Sequence, residues 1–153
     1  MKLCAICKGK LETAVVDESI KVDGHVFAAQ LPAQRCTKCG ETFMKAEAIG
    51  LFELAIASHL AAAGAGSHEA FRFMRKTLGV KAAELAILLD VSAETVSRWE
   101  SGKVPVPRSS TALLASMVED ATLGRTTTHD HLQRLQKPAQ LGNTVRVSIN
   151  AAA

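Results

Sequence analysis

Apolar and polar positions along this chain follow two rhythms in succession. Thr13 to Ile20 and Val26 to Leu31 are rich in β-branched and apolar residues and flank Asp23-Gly24, a dipeptide suited to a tight turn. This predicts two antiparallel strands joined as a hairpin. From Ile49 the rhythm changes: Ile49, Phe52, Ile56 and Leu60 recur at three- and four-residue steps among alanines, which predicts one long helix. Gly64-Ala65-Gly66 interrupts it, and Ser67 is a good cap for a new helix beginning at His68.

The helices that follow are short. Phe71, Met74 and Leu78 mark one that ends at Gly79; Ala82, Leu85, Ala86 and Leu89 mark a second; Val96 and Trp99 mark a third, capped by Ser92 and closed by Gly102. Pro105 and Pro107 forbid its continuation, so Ser109 or Ser110 is expected to start a fourth helix, with Leu113, Leu114, Met117 and Val118 as its apolar stripe. Beyond Gly124, His129 to Gln136 has room for a further helical turn or two, and Thr144 to Ile149 alternates like a strand. The expected class is α+β: a hairpin module over 1–45, a linking helix and hinge over 46–66, a helical domain over 67–123, and a tail over 124–153.

Composition narrows the function. In 153 residues, 48% apolar with a formal charge of +3, no apolar run approaches the roughly 20 residues of a bilayer crossing, and the start lacks the apolar run of a secretory signal. A cytoplasmic protein with no membrane partner is expected. Residues 1–66 and 67–120 are each charge-balanced, whereas 121–153 carry four basic residues against one acidic, so the whole excess lies in the tail.

All four cysteines fall in the first 39 residues as two pairs of identical spacing, Cys4-Ala-Ile-Cys7 and Cys36-Thr-Lys-Cys39, each followed by a glycine, Gly9 or Gly40. In a reducing compartment such pairs point to metal. Read as zinc knuckles, the two loops are separated by 28 residues, enough for the hairpin that brings them together into one four-thiolate tetrahedron. One structural Zn²⁺ per chain is expected, with no position left for water or substrate. Lys8, Lys10 and Lys38 lie beside the ligands and can offset their negative charge. Free reduced thiols, or a thiol switch that releases zinc on oxidation, are the other readings of the same four residues.

The stretch from Leu78 to Lys103 has the grammar of two helices joined by a tight turn. Ala86 is small enough for a close crossing, and Val96 with Trp99 anchors the next helix on its buried side. Ala93, Glu94, Ser97 and Arg98 then face outward, where a helix laid in a major groove touches base edges, and Arg98 has the reach for a bidentate contact to guanine. Lys103 and Arg108, after that helix, suit phosphates. A plain helical bundle has the same inside-outside pattern; what distinguishes this one is the grouping of Arg72, Arg75, Lys76 and Lys81 ahead of the outward-facing helix.

At these residues the chain resembles known proteins. Leu78 to Lys103, above all Val91-Ser-Ala-Glu-Thr-Val-Ser-Arg-Trp-Glu-Ser-Gly-Lys103, looks like the XRE/Cro/phage-repressor helix-turn-helix, and Cys36-Thr-Lys-Cys-Gly-Glu-Thr-Phe43 looks like the second knuckle of a YgiT-type zinc finger. In this order, over about residues 1–120, they resemble the MqsA/YgiT-type antitoxin and regulator family. The resemblance implies a lambda-repressor-like all-α domain and a homodimeric transcriptional repressor on a palindromic operator. In antitoxin members it also implies a zinc domain that binds an mRNA-cleaving ribonuclease toxin. It further implies an ion pair between Arg75 and Glu100. Ala82 stands where such repressors often carry glutamine, and Glu94 where they often carry an amide, so no operator sequence transfers. Leu113, Leu114 and Met117 are expected at the dimer contact. The competing functions are a stand-alone regulator without a toxin, and a zinc-stabilised protein-interaction module that does not bind DNA. No catalytic constellation is found, so an enzyme is not expected.

Overall fold

The computed structural model describes residues 3–148. Strand β1 (Leu11–Val22) and strand β2 (His25–Cys36) form one long antiparallel hairpin, and the short β3 (Thr42–Met44) adds to the far side of β2, giving the order β1-β2-β3. Register is set at the turn: Asp23 and Gly24 have φ of 52° and 78°, the left-handed pair that matches the twist of a two-residue hairpin loop, and Val22 faces His25. The strands run longer than the β-branched runs predict, because Leu11↔Cys36 closes the ladder at the cysteine end. Alternation sends Val16, Ile20, Val22, Phe27, Ala29 and Leu31 to one face, where they join the helical core, and leaves Val15 and Val26 exposed on the other.

Helix α1 (Ala46–Ala62) buries Ala48, Phe52, Ile56, Ala57 and Leu60. It packs along α5 (Arg108–Thr122) and against α2 (His68–Thr77), so its apolar stripe belongs to the same core as Phe71, Met74, Leu85, Val96, Leu114 and Val118. Ser67 caps α2, its Oγ accepting the Ala70 N–H at 3.0 Å. Helices α3 (Ala82–Leu88) and α4 (Ala93–Glu100) follow. The Asp23 N–H donates to Glu69 at 2.9 Å, tying the hairpin tip to α2.

The structure departs from the sequence pattern at two places. The fourth short helix does not begin at Ser109 or Ser110: Pro107, held by its ring at φ −61° in extended geometry, precedes a helix that starts at Arg108, and Thr111 N–H bonds back to the Pro107 carbonyl at 3.0 Å. Ser110 is then an interior helical residue and is buried. The strand expected over Thr144 to Ile149 is absent over 144–148, which are irregular and exposed; Ile149 lies outside the described residues. Helix α6 (Thr127–Gln136) does form, burying Leu132, and packs on α5 and α3. Among the described residues no helix is long and apolar enough to cross a membrane.

Candidate metal centre and nucleic-acid interface

The hairpin brings Leu11 and Cys36 into register, and this places the loop before β1 beside the loop after β2. The sulfurs of Cys4, Cys7, Cys36 and Cys39 consequently all lie within 4.8 Å of one another. Cys4 and Cys39 are 3.7 Å apart and Cys7 and Cys36 3.4 Å. Four sulfurs each about 2.3 Å from a zinc ion stand about 3.8 Å apart along the edges of their tetrahedron, so the cluster has the size of a Zn(Cys)₄ site.

The two loops are closed by the same pair of backbone bonds. Lys8 N–H donates to the Cys4 carbonyl and Cys4 N–H to the Gly9 carbonyl; Gly40 N–H donates to the Cys36 carbonyl and Cys36 N–H to the Glu41 carbonyl. Equivalence by hydrogen bonding therefore pairs Lys8 with Gly40, and these are the left-handed residues, with φ of 59° and 75°. Gly9 and Gly40, alike in following a cysteine pair, therefore do different work. Gly9 is there for close approach: a Cβ on it would stand 2.8 Å from Cys36 Sγ and 2.8 Å from Lys38 Cβ.

Electrostatics of the thiols fit a cation at the centre. The Cys39 amide lowers the Cys36 thiol, opposed by burial and aided by the Lys38 amide and the neighbouring thiols, to about 6. Cys39 goes the other way: the Glu41 amide favours its thiolate, but the Cys7 sulfur, desolvation and the Cys36 and Cys4 sulfurs push it up to about 12. Although Cys39 is exposed as a residue, its sulfur faces the other three. One thiolate forms readily and its neighbours oppose the next, an opposition that a divalent cation reverses. The four cysteines can hold a metal ion, and their donor set and size are compatible with zinc; with all four positions sulfur, such an ion builds structure and leaves no site for a reacting water.

The second constellation lies on α3 and α4. Ala86 is buried where the helices meet, and the chain turns through Asp90 at φ 53°, with Val91 N–H returning to the Ala86 carbonyl at 2.9 Å. Ser92 caps α4, its Oγ accepting Thr95 N–H at 3.1 Å. Val96 and Trp99 are buried, Trp99 edge-on to Phe71 with ring centroids 5.9 Å apart. That anchoring leaves Ala93, Glu94, Ser97 and Arg98 exposed together on the opposite side, with Lys103 and Arg108 exposed beyond the helix. Glu94 in the first turn and Arg98 in the last complement the helix dipole.

Arg75 and Glu100 join α2 to the end of α4. Arg75 Nε donates to Glu100 Oε1 at 2.5 Å and Nη2 to Oε2 at 2.9 Å, while Nη1 reaches the Val80 carbonyl at 2.7 Å. This bidentate pair ties the C-terminal end of α4 to α2 and to the loop that follows α2.

The dimer residues divide. Leu114 is fully buried and Met117 nearly so in the core of the protomer, because α5 is packed between α1, α2 and α6; neither is open to a second copy. Leu113 alone is partly exposed, beside Ile87 and Leu135. Sequence reasoning also missed a basic cluster: Lys21 of β1 lines one cavity with Arg72 and Lys76 of α2, beside Glu69. The helical spacing of Arg72 and Lys76 was legible, but nothing local connects them to Lys21.

Comparison with known proteins agrees with the helical part. A family described as a helix-turn-helix domain matches residues 69–119, from the first turn of α2 into α5. No curated protein matches the chain in sequence. The chain thus carries a helix-turn-helix domain of the kind found in DNA-binding regulators, attached to an antiparallel sheet whose cysteines can hold a metal ion.

Proposed function

We propose that the protein is a sequence-specific transcriptional regulator, acting in the cytoplasm as a repressor, that binds a palindromic operator as a homodimer through α4 and holds one structural Zn²⁺ on Cys4, Cys7, Cys36 and Cys39. One observation carries the reading: a capped α4, anchored by Val96 and Trp99 and braced by Arg75–Glu100, presents Ala93, Glu94, Ser97 and Arg98 on one open face within a region matched as a helix-turn-helix domain. In this reading Arg98 contacts a base edge, and Lys103 and Arg108 contact phosphates. The cysteine module is left available for a protein partner, and the resemblance to the MqsA/YgiT family makes a ribonuclease toxin the partner to test by co-expression.

The direct experiment sequences the DNA retained by the purified protein and then measures binding to the recovered site. Arg98→Ala is expected to lose on the order of 1–3 kcal/mol and to blur discrimination at one position in each half-site, whereas Lys103→Ala weakens all sequences alike and lowers the salt slope by about one. Equal, uniform losses from both variants would refute the placement of α4. No shift of duplex DNA at any salt concentration would favour the protein-interaction module instead.

A further inference from the structure

The sheet and the tail each lack what the other has. β1 is an edge strand: its one strand partner among the described residues is β2, so the outer side of a 12-residue strand offers its backbone N–H and C=O groups unpaired. Edges are commonly shortened, bulged or guarded by lysine and proline. This one is long and carries no proline, and its charges are Glu12, Asp17 and Glu18 against Lys21. At the other end of the chain, Thr144-Val145-Arg146-Val147-Ser148 has the alternation and β-branched content of a strand, yet it pairs with no strand among the described residues. Val145 is 55% and Val147 78% exposed. Residues 137–148 carry Lys137 and Arg146 and no acid, the complement of β1.

We propose that residues 144–148 of one copy add as a further strand to the free edge of β1 in a second copy, with Arg146 beside Asp17. Alternation then decides the rest. Arg146 and Asp17 share the outer face, so Val145 and Val147 fall on the inner face flanking Val16 and Glu18, whichever way the added strand runs. Val16, Glu18 and Ile20 are only half-buried on that face, and two valines beside them extend the cover. Main-chain bonds supply the affinity and the Arg146–Asp17 pair the register.

A second copy is the occupant because the chain's own tail starts on the wrong side. The sheet packs on α1 and α2, whereas α6 packs on α5 and α3, and Gln136 is tied to the Ile87 carbonyl at 3.2 Å. Contacts from the sheet to α6 pass through α1 or α2 and then α5, two helix layers of about 10 Å each. Residues 137–143 span at most about 24 Å fully extended, which leaves nothing for the path around them.

The test uses the whole 153-residue chain loaded with zinc, combining sedimentation equilibrium over a range of concentrations with amide hydrogen exchange. The expected result is a dimer in which residues 144–148 and alternate β1 amides exchange at least about tenfold more slowly than at dilutions where the protein is monomeric. Val147→Pro, at an exposed irregular position, should remove that protection and weaken association at least about tenfold. Asp17→Arg alone should weaken it, and Asp17→Arg with Arg146→Asp should restore it. Protection that persists unchanged in the monomer would mean the tail folds onto its own sheet and would overturn the proposal. So would a dimer whose β1 amides remain unprotected, as in tail-to-tail pairing, or a protein that stays monomeric throughout. Arg98→Ala should leave β1 protection untouched, so failure here and failure of the DNA reading are separable.

Discussion

Removing Glu100 tests how α4 is held. The carboxylate and the Arg75 guanidinium are about nine-tenths buried, at 11% and 10% side-chain exposure, and they meet through two nitrogens and two oxygens. A surface pair of this kind is worth about 0–1 kcal/mol, but taking one partner from a buried pair strands the other charge and costs about 3–5 kcal/mol. Arg75 keeps one bond, to the Val80 carbonyl, when Glu100 is lost, so Glu100→Ala should fall near the lower end, about 3 kcal/mol. Arg75→Met should cost more, because it strands the carboxylate and also orphans the Val80 carbonyl, adding about 1 kcal/mol or more. The double variant Arg75→Met with Glu100→Ala removes both charges and should be less destabilised than the sum of the two single changes by at least about 2 kcal/mol. Urea unfolding of the metal-loaded chain reads this directly through Trp99 fluorescence, since the only tryptophan is buried and adjoins Glu100. A coupling energy below about 0.5 kcal/mol would show that the pair behaves as a solvated surface contact and does not brace α4.

Gly9→Ala should lower metal affinity sharply, because its methyl group collides with Cys36 Sγ, whereas Lys8→Gly, which relieves the φ of 59°, should retain it; competition with a chromophoric chelator ranks the three proteins. Chelating the proposed zinc ion should unravel the cysteine end of the hairpin while leaving Trp99 fluorescence unchanged, as seen by hydrogen exchange alongside metal analysis. The Thr128 amide, at 2.6 Å and aided by the Thr128 hydroxyl, holds the Asp120 carboxyl below its ordinary 3.8 against the effect of burial. That group's contribution is therefore complete above about pH 3.8 and is lost as pH falls through the lowered value, so the first turn of α6 should lose exchange protection on acidification. Asp120→Ala should show the same loss at neutral pH, and an unchanged α6 in that variant would refute a role for the Asp120–Thr128 bond in holding its first turn.

Much of this protein was legible because its signals are local. The Asp23-Gly24 turn, the two cysteine spacings, the Ser67 and Ser92 caps and the three- and four-residue apolar steps each concern neighbours within one turn or one loop, where backbone sterics and hydrogen bonding act without tertiary help. The cysteines add one long-range constraint, since a four-sulfur cluster requires the hairpin to close. The sequence predicts no more than a turn or two of α6, because its single buried residue, Leu132, gives almost no periodicity.

What the sequence could not decide were matters of approach and burial between segments far apart in the chain. Gly9 and Gly40 look alike locally, and only the packing of one knuckle against the other separates a glycine needed for space from one needed for its dihedral angle. Leu114 and Met117 form an apolar stripe equally suited to a core or a dimer; the arrival of α1 and α6 on either side of α5 assigns them to the core. Thr144 to Ser148 has the alternation of a strand, but a strand exists only when an edge is within reach, and α6, from which this segment leads away, packs on α5 and α3 while the sheet packs on α1 and α2. Periodicity determined what each segment could become, and tertiary contact determined which of those possibilities was satisfied, because burial and hydrogen-bond pairing depend on neighbours that no local pattern encodes.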